Sequence, residues 1–533
     1  MSESDFFKQV CDEGIAQSEP ELWSRELPYS NRTHLVNPTS RTNYCLDICG
    51  VAVPNDFLAT RDVPSVSIIG ASGSGKTILA QTSIHSFMKH NNQGETCVIL
   101  DSKGSILPFA KGLSDRYGVQ LYYINLTDPR AHALDIQAEL NNSEENAFEF
   151  VSEMMPVSSS SDPIWEQSAQ ASLLAVILFL MQSGRPFGME DIYGILQVAP
   201  EKLVQYMAQT PSGKISAERI FGGSNEKAID SVLFTLDAKA RPLRAAAIHQ
   251  YYTSPRQYVS FRDIARTGGI VVISQDYTTV HMTQPFIRYL IRQFVMQKLE
   301  TPDYSQPDSM IYIDEISSLG KNPPAILEAV IQGRSKRLMT FLSSQSRSQF
   351  DRIFGREGAV EIMNCCDFKA LLRCNDFESA TYQSRMCGQR YVQKTSESFG
   401  TSYSMSTSEE LAAAIEPNWF FGLPKPSPSA GLSYAFISPE TGVLKLHRSG
   451  AYMQEHQPPR AAIAGRQYRK NANLPPWSPK ALGATAGNNP PRPLSRQHFI
   501  HTFQGNPAIA GFAYDFVSSC LHNAMHQAYG NFS

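Results

Sequence analysis

Val66-Ser-Ile-Ile-Gly70-Ala-Ser-Gly-Ser-Gly75-Lys76-Thr77 decides how the rest of this chain is read. An apolar run, a glycine-lined turn and a helical pattern from Ile78 follow one another without a break. The turn fits GxxxxGK[ST] in the strand–loop–helix setting that this motif requires. Glycines let the backbone curl, so that N–H groups from Gly70, Ala71, Ser72, Gly73, Ser74 and Gly75 can converge on phosphate oxygens. The helix that follows adds the positive end of its dipole. Lys76 is expected to reach the β- and γ-phosphates, and Thr77 to ligate a metal. The stretch therefore predicts a binding site for ATP with Mg2+.

Outward from the loop, the next informative stretch is Met310-Ile-Tyr-Ile-Asp314-Glu315, an apolar strand ending in two acids. Asp314 is expected to hold Mg2+ through its water shell, and Glu315 to polarise the attacking water. Taken alone, two acids also cap many solvated strand ends; after a phosphate-binding loop, the chemical reading is preferred. Thr340-Phe-Leu-Ser343-Ser-Gln345 repeats the theme, an apolar strand with a polar end, and Gln345 is the candidate sensor of a γ-phosphate. An acid, a lysine and a glycine in Asp101-Ser-Lys103-Gly104 fall where the ligand-binding rim of an open α/β sheet lies, although an ordinary turn uses the same residues. Arg334, in Gln332-Gly-Arg334-Ser-Lys336-Arg337, is open to two readings. It is an arginine finger or nucleic-acid contact, or else part of a solvated helix end where cations meet the dipole.

The pattern around these motifs predicts an α/β fold. Short apolar strands at Val66–Ile69, Val98–Leu100, Leu121–Ile124, Ile270–Ile273, Met310–Ile313, Thr340–Ser343 and Phe368–Leu372 alternate with helical patterns. Strands without polar alternation are buried on both faces, which points to a parallel-core sheet. Between residues 141 and 255 the strands stop and helical patterns take over (Trp165–Met181, Lys202–Ala208, Glu226–His249), predicting an inserted all-α domain. The α/β domain then comprises 61–140 and 256–455, led by a segment 1–60 and followed by 456–533. That last stretch holds a Pro/Gly/Ala-rich linker at 474–495 and an amphipathic helix carrying Ile509, Phe512, Phe516 and Leu521.

Composition excludes some classes. The 533 residues carry a net charge of −3, so there is no global basic field, and DNA contacts would have to be local. Nine cysteines, an odd number irregularly spaced, read as the reduced thiols of a cytoplasmic protein. The N-terminus has no signal-peptide pattern, and the longest apolar run, Ala171–Met181, is shorter than the roughly 20 residues a membrane span needs. It is expected to be a buried helix.

Together these pieces resemble the type IV coupling proteins of bacterial conjugation and secretion, the TraG/TraD-like ATPases. Besides the loop and the acid pair, the resemblance rests on Asp101–Gly104, Asp162-Pro-Ile-Trp165, Gly269-Ile-Val-Val-Ile-Ser274, Gln345-Ser346 followed by Asp351–Gly355, and Asn364–Arg373. It covers roughly residues 50–450. The resemblance implies a RecA-like P-loop motor assembled as a hexameric ring, hydrolysing ATP between subunits and passing single-stranded DNA through its pore. Its all-α domain would face the cytoplasm and meet a relaxase or other secreted substrate, and the ring would contact components of the type IV secretion channel. Arg334 becomes a candidate finger reaching a neighbouring subunit. Most relatives carry N-terminal transmembrane helices and none is read here, so the chain is expected to be cytoplasmic, and either it meets the inner-membrane complex only through protein contacts or it belongs to a soluble branch with a different duty. Two further readings share the motor or its receptor face: an ATP-gated substrate receptor that does not pump, and a HerA/FtsK-like DNA pump.

Overall fold

The computed structural model describes residues 29–30, 45–54 and 62–463, less 90–93, 127, 129, 159–162, 185, 224–225, 253–257, 276–279, 305–306, 400–402, 440 and 458–459. The linker at 474–495 and the amphipathic pattern from Ile509 lie outside the described residues. Along the chain come β1 (Tyr29–Ser30), β2 (Cys45–Ile48), β3 (Val51–Pro54), β4 (Val66–Ile69), α1 (Lys76–Lys89), β5 (Thr96–Asp101), α2 (Leu107–Tyr117), β6 (Leu121–Ile124) and β7 (Ala133–Leu134). A helical run follows: α3 (Ile136–Leu140), α4 (Glu144–Met154), α5 (Ile164–Gln182), α6 (Met189–Leu196), α7 (Pro200–Met207), α8 (Pro211–Phe221), α9 (Glu226–Lys239) and α10 (Arg241–Tyr252). The alternating pattern resumes with β8 (Tyr258–Val259), α11 (Phe261–Thr267), β9 (Gly269–Ser274), α12 (Val280–Leu299), β10 (Ser309–Ile313), α13 (Pro324–Gln332), β11 (Leu338–Ser344), α14 (Arg347–Cys365) and β12 (Phe368–Leu371). Last are α15 (Phe377–Met386), β13 (Gln389–Phe399), β14 (Tyr403–Ala413), α16 (Pro417–Gly422), β15 (Leu432–Ser438), β16 (Gly442–Arg448) and α17 (Gly450–Glu455). The described residues of 1–121, 267–272 and 295–462 form one compact unit, and those of 122–266 and 273–294 another.

Ten strands make one sheet in the order β1-β16-β15-β12-β4-β11-β10-β5-β9-β6. Within the run β12-β4-β11-β10-β5 each strand is parallel to the next, and β15 joins β12 antiparallel. Every residue of β4, β5, β10 and β11 is buried, which explains why their sequences show no polar alternation. The register decides the site. Ile69 pairs with Ser344, while Ile313 pairs with both Leu342 and Leu100, so Gly70, Gln345, Asp314 and Asp101 all leave the sheet at its carboxyl edge. Strand order reverses around β4, which is where an open α/β sheet leaves a crevice for ligands.

The helix that begins at the glycine loop, α1, is buried almost all round, including Gln81, Thr82, Ser83, His85 and Ser86. The β2–β3 hairpin explains the polar ones. Asp47 N–H donates to Ser86 Oγ at 2.9 Å and Cys49 N–H to Ser83 Oγ at 2.8 Å, so hydroxyls on the helix satisfy hairpin backbone that would otherwise be orphaned. Tyr434 on β15 donates to Cys49 O at 2.5 Å and closes the clamp. The cysteines at 49, 97, 365, 366, 374 and 387 are free thiols.

In the second unit α5 is the central helix, burying Leu173, Val176, Ile177 and Leu180 and touching α4, α6, α7, α8 and α9. At 19 residues it exceeds the apolar run seen in the sequence, and it is the one helix among the described residues long and apolar enough to cross a membrane. The pattern expected from Glu226 to His249 as one helix is two, because Pro242 has no N–H and fits only the first turn of a new helix. The helix α8 adds to the predicted set; Thr210 Oγ1 caps it by accepting from Gly213 N–H at 3.0 Å.

Candidate functional site

The loop between β4 and α1 needs its glycines for two separate reasons. Gly73 and Gly75 have φ of 72° and 104°, which side chains disfavour. A Cβ on Gly75 would also stand 2.7 Å from Leu432 Cδ1, and one on Gly70 would stand 2.6 Å from Ser74 Oγ and 2.7 Å from Leu372 Cβ. The neighbouring strands hold the mouth of the loop: Gly70 N–H donates to Ser344 O at 3.1 Å and Ala71 N–H to Arg373 O at 2.8 Å. With the N–H groups of Gly70 and Ala71 so engaged, and that of Ser74 donating to Ala71 O at 3.1 Å, the donors left for a phosphate belong to the rest of the inner turn and to the first N–H groups of α1, which have no intrahelical partner.

Lys76 folds back over this loop, donating from Nζ to Gly70 O at 2.6 Å and to Ala71 O at 3.1 Å. It is 7% exposed, and burial lowers its pKa to about 8; the charges of Glu315 and Asp314 oppose that shift, and Lys103 adds to it. Asp314 stands opposite at the end of β10. Its Oδ1 accepts from Thr77 Oγ1 at 3.1 Å and from Tyr312 OH at 2.8 Å, while its buried Oδ2 has no partner. Glu315 accepts from Gln345 Nε2 at 2.9 Å on Oε2, and its buried Oε1 is likewise unpaired. Gln349 fixes the turn that carries Gln345, accepting from Gln345 N–H and from Ser344 Oγ, each at 2.7 Å.

The structure thus brings Gly70–Gly75, Lys76, Thr77, Asp314, Glu315 and Gln345 together at one sheet edge. Two free carboxylate oxygens beside a threonine hydroxyl suit a hydrated hard cation. Among the described residues no cluster of three or more acid, histidine or cysteine side chains exists to cage a metal. Asp101 has a different task from its neighbours: its carboxylate accepts from the N–H groups of Lys103, Ser105, Ile106 and Leu107 at 2.7–3.3 Å, organising the turn into α2. Burial raises its pKa and those donors oppose the rise. Lys103, on that turn, is exposed.

Arg334 is not brought to this edge. It precedes β11, whose seven residues span about 23 Å, and so lies at the amino edge of the sheet, opposite the end that carries Gln345. Its Nη2 lies 2.9 Å from Asp367 Oδ2. Lys336 and Arg337 are held in the same way by Asp303 at 2.8 Å and Asp308 at 2.6 Å. Any contact of Arg334 with a nucleotide would have to be with one bound to another subunit. Sequence reasoning gave no role to Tyr312 or Gln349; Tyr312 had looked like one more apolar letter in its strand.

A sheet with a parallel core and this loop, acid pair and polar strand end at one edge has a RecA-like P-loop fold. Over residues 48–415 the chain matches the model of the type IV secretion-system coupling protein DNA-binding domain, and it belongs to that family. Among solved structures, it resembles the bacterial conjugative coupling protein TrwBdeltaN70 in an unbound form, at 18% identity, a TM-score of 0.59, and coverage of 87% of this chain and 98% of that one. The plasmid coupling protein TrwB with ADP and Mg2+ matches at 18% identity and a TM-score of 0.58 over 86% and 98% of the two chains. TrwB with a non-hydrolysable ATP analogue matches at 19% and 0.58 over 87% and 98%. Comparison with curated protein sequences finds no match.

Proposed function

We propose that the protein is an ATP-hydrolysing coupling protein, which recruits a relaxase–DNA complex or another secreted substrate and drives DNA through a type IV secretion channel. The observation that carries this is the convergence of Lys76, Thr77, Asp314, Glu315 and Gln345 on one edge of the sheet, with two carboxylate oxygens unpaired. In this reading the inner turn of the loop and Lys76 hold the phosphates of ATP, and Thr77 and Asp314 hold Mg2+. Glu315 takes the proton of the attacking water, and Gln345 reports whether a γ-phosphate is present. Bound Mg2+ would supply charge neutralisation between the phosphates. The complexes of TrwB with ADP and Mg2+ and with an ATP analogue support that choice of nucleotide and metal.

The family supports the rest of the reading: single-stranded DNA as the moving substrate, a hexameric ring as the working form, and a type IV secretion channel as the place where it works. The helical unit is the candidate receptor for the relaxase. The test is the ATPase rate of the full chain across protein concentrations, with and without single-stranded DNA. A rate that rises with assembly and again with DNA is expected. A DNA-indifferent rate in an assembled ring would remove the pump and leave a nucleotide-gated receptor, and no hydrolysis under any condition would remove the enzyme.

A further inference from the structure

The metal-binding acid has a partner that no motif names. Tyr312 lies two residues before Asp314 on β10, so both side chains leave the same face of the strand. The phenol is completely buried, and its hydroxyl donates to Asp314 Oδ1 at 2.8 Å. Thr77 Oγ1 shares that oxygen at 3.1 Å, and Oδ2 is left bare. We propose that Tyr312 is the positioning residue of the metal site: by pinning Asp314 Oδ1 it reserves Oδ2 for the water shell of the cation.

Three observations favour this over a simple space-filling role. A phenylalanine would fill the same volume in β10 without a buried hydroxyl to satisfy, so the oxygen has to be explained. Its partner is the acid itself, rather than a backbone carbonyl of the surrounding sheet. The two donors to Oδ1 also differ in what they are free to do. A threonine that ligates Mg2+ through a lone pair keeps its O–H for Asp314 but is tied to the position of the metal, whereas Tyr312 holds the carboxylate's orientation with or without the metal. Removing such a supporting contact to a metal ligand typically costs 10–100-fold in metal affinity.

This inference rests on the nucleotide–Mg2+ reading above, and the experiment separates the two. Binding of a fluorescent ADP to the full chain is titrated with Mg2+ for the natural protein, Tyr312→Phe, Asp314→Asn and the double variant. Tyr312→Phe should raise the Mg2+ midpoint about tenfold, while affinity for the same ADP in EDTA stays unchanged. Added to Asp314→Asn it should have no further effect, because Tyr312 acts through that carboxylate. A natural protein indifferent to Mg2+ overturns the metal site itself. A Mg2+-dependent natural protein with an unmoved Tyr312→Phe midpoint, or additive effects in the double variant, overturns the role of Tyr312 alone. Should Tyr312→Phe fail to fold, fluorotyrosine at 312 keeps ring and hydroxyl. Its 19F resonance should shift when Mg2+ joins bound ADP, and a stationary resonance overturns the proposal.

Discussion

The two edges of the large sheet treat their charges in opposite ways. At the amino edge Arg334, Lys336 and Arg337 each face an acid of their own, at 2.9, 2.8 and 2.6 Å. At the carboxyl edge Lys76 leans on backbone carbonyls, while Asp314 and Glu315 each keep one buried oxygen unpaired. Buried charge without a partner is costly, and a fold tolerates it where a ligand completes the set. The difference teaches where to look for function: a basic cluster already neutralised is architecture, and an acid pair left incomplete is a site.

The largest effect that this contrast predicts is at Glu315. Glu315→Gln keeps the shape of the side chain and an oxygen able to accept from Gln345, but it removes the base. Hydrolysis should fall by about 100- to 1000-fold, while affinity for ADP with Mg2+ stays within about twofold of the natural protein. Steady-state rates together with equilibrium nucleotide binding check this. If hydrolysis survives, Glu315 belongs with the paired acids of the other edge.

The next effect concerns pH. Lys76 is held at about 8 when no phosphate is near, below the 10.5 of a free lysine. A bound triphosphate favours the charged form and raises that pKa again. Between pH 8 and 10.5 the free protein has therefore lost a proton that the bound protein keeps, so binding takes one up. Affinity should fall as pH rises above 8, by at most about tenfold per unit, and calorimetry at pH 9 in buffers of different ionisation heat should report uptake of close to one proton. Lys76→Met should bind weakly and show no such slope. Absence of proton uptake would mean that the lysine is already charged in its buried place.

At the amino edge the expected response is smaller. Arg334→Ala leaves Asp367 half-buried near Lys369, so stability should drop by about 1 kcal/mol, with nucleotide affinity unchanged. Denaturant midpoints and ADP binding measure both. This is also the sharpest way to break the comparison. A fall in turnover of about 1000-fold with unaltered affinity, seen where subunits associate, would move Arg334 from architecture to a finger in a neighbour's site.

How far the sequence could be read follows the same division. The loop Gly70–Thr77, Asp314, Glu315 and Gln345 were legible because consecutive residues on strand ends need only a parallel register to converge. The strands of the parallel core were legible because burial on both faces leaves unbroken apolar runs. The β15–β16 hairpin was passed over: Leu432–Ser438 and Gly442–Arg448 place polar residues such as Ser433 and His447 among apolar ones, as an antiparallel addition beyond β12 permits. The pairing of Arg334, Lys336 and Arg337 could not be seen at all, since Asp367, Asp303 and Asp308 reach them from loops about thirty residues away. Tyr312 was invisible for a related reason: a tyrosine in an apolar strand reads as core until its hydroxyl is located.

One residue at the amino edge departs from the rule, and it gives the smallest prediction. Lys298, near the end of α12, is 2% exposed, and its Nζ has no hydrogen-bond partner. Burial lowers its pKa to about 8, with the charge of Asp308 opposing. Asp308 is already held by Arg337, so replacing Lys298 strands no acid. Lys298→Met keeps all but the last heavy atom of the unbranched side chain and removes the desolvated charge, and it should stabilise the fold by about 1 kcal/mol. The sign in pH is fixed by linkage: between pH 8 and 10.5 the unfolded chain binds the proton that the folded chain has released, so the natural protein gains stability as pH rises through that window. Urea midpoints at pH 7 and pH 9 should therefore converge for natural protein and variant. If Lys298→Met instead weakens the fold at pH 7, Lys298 has a partner that stabilises its charge, and the amino edge has no exception.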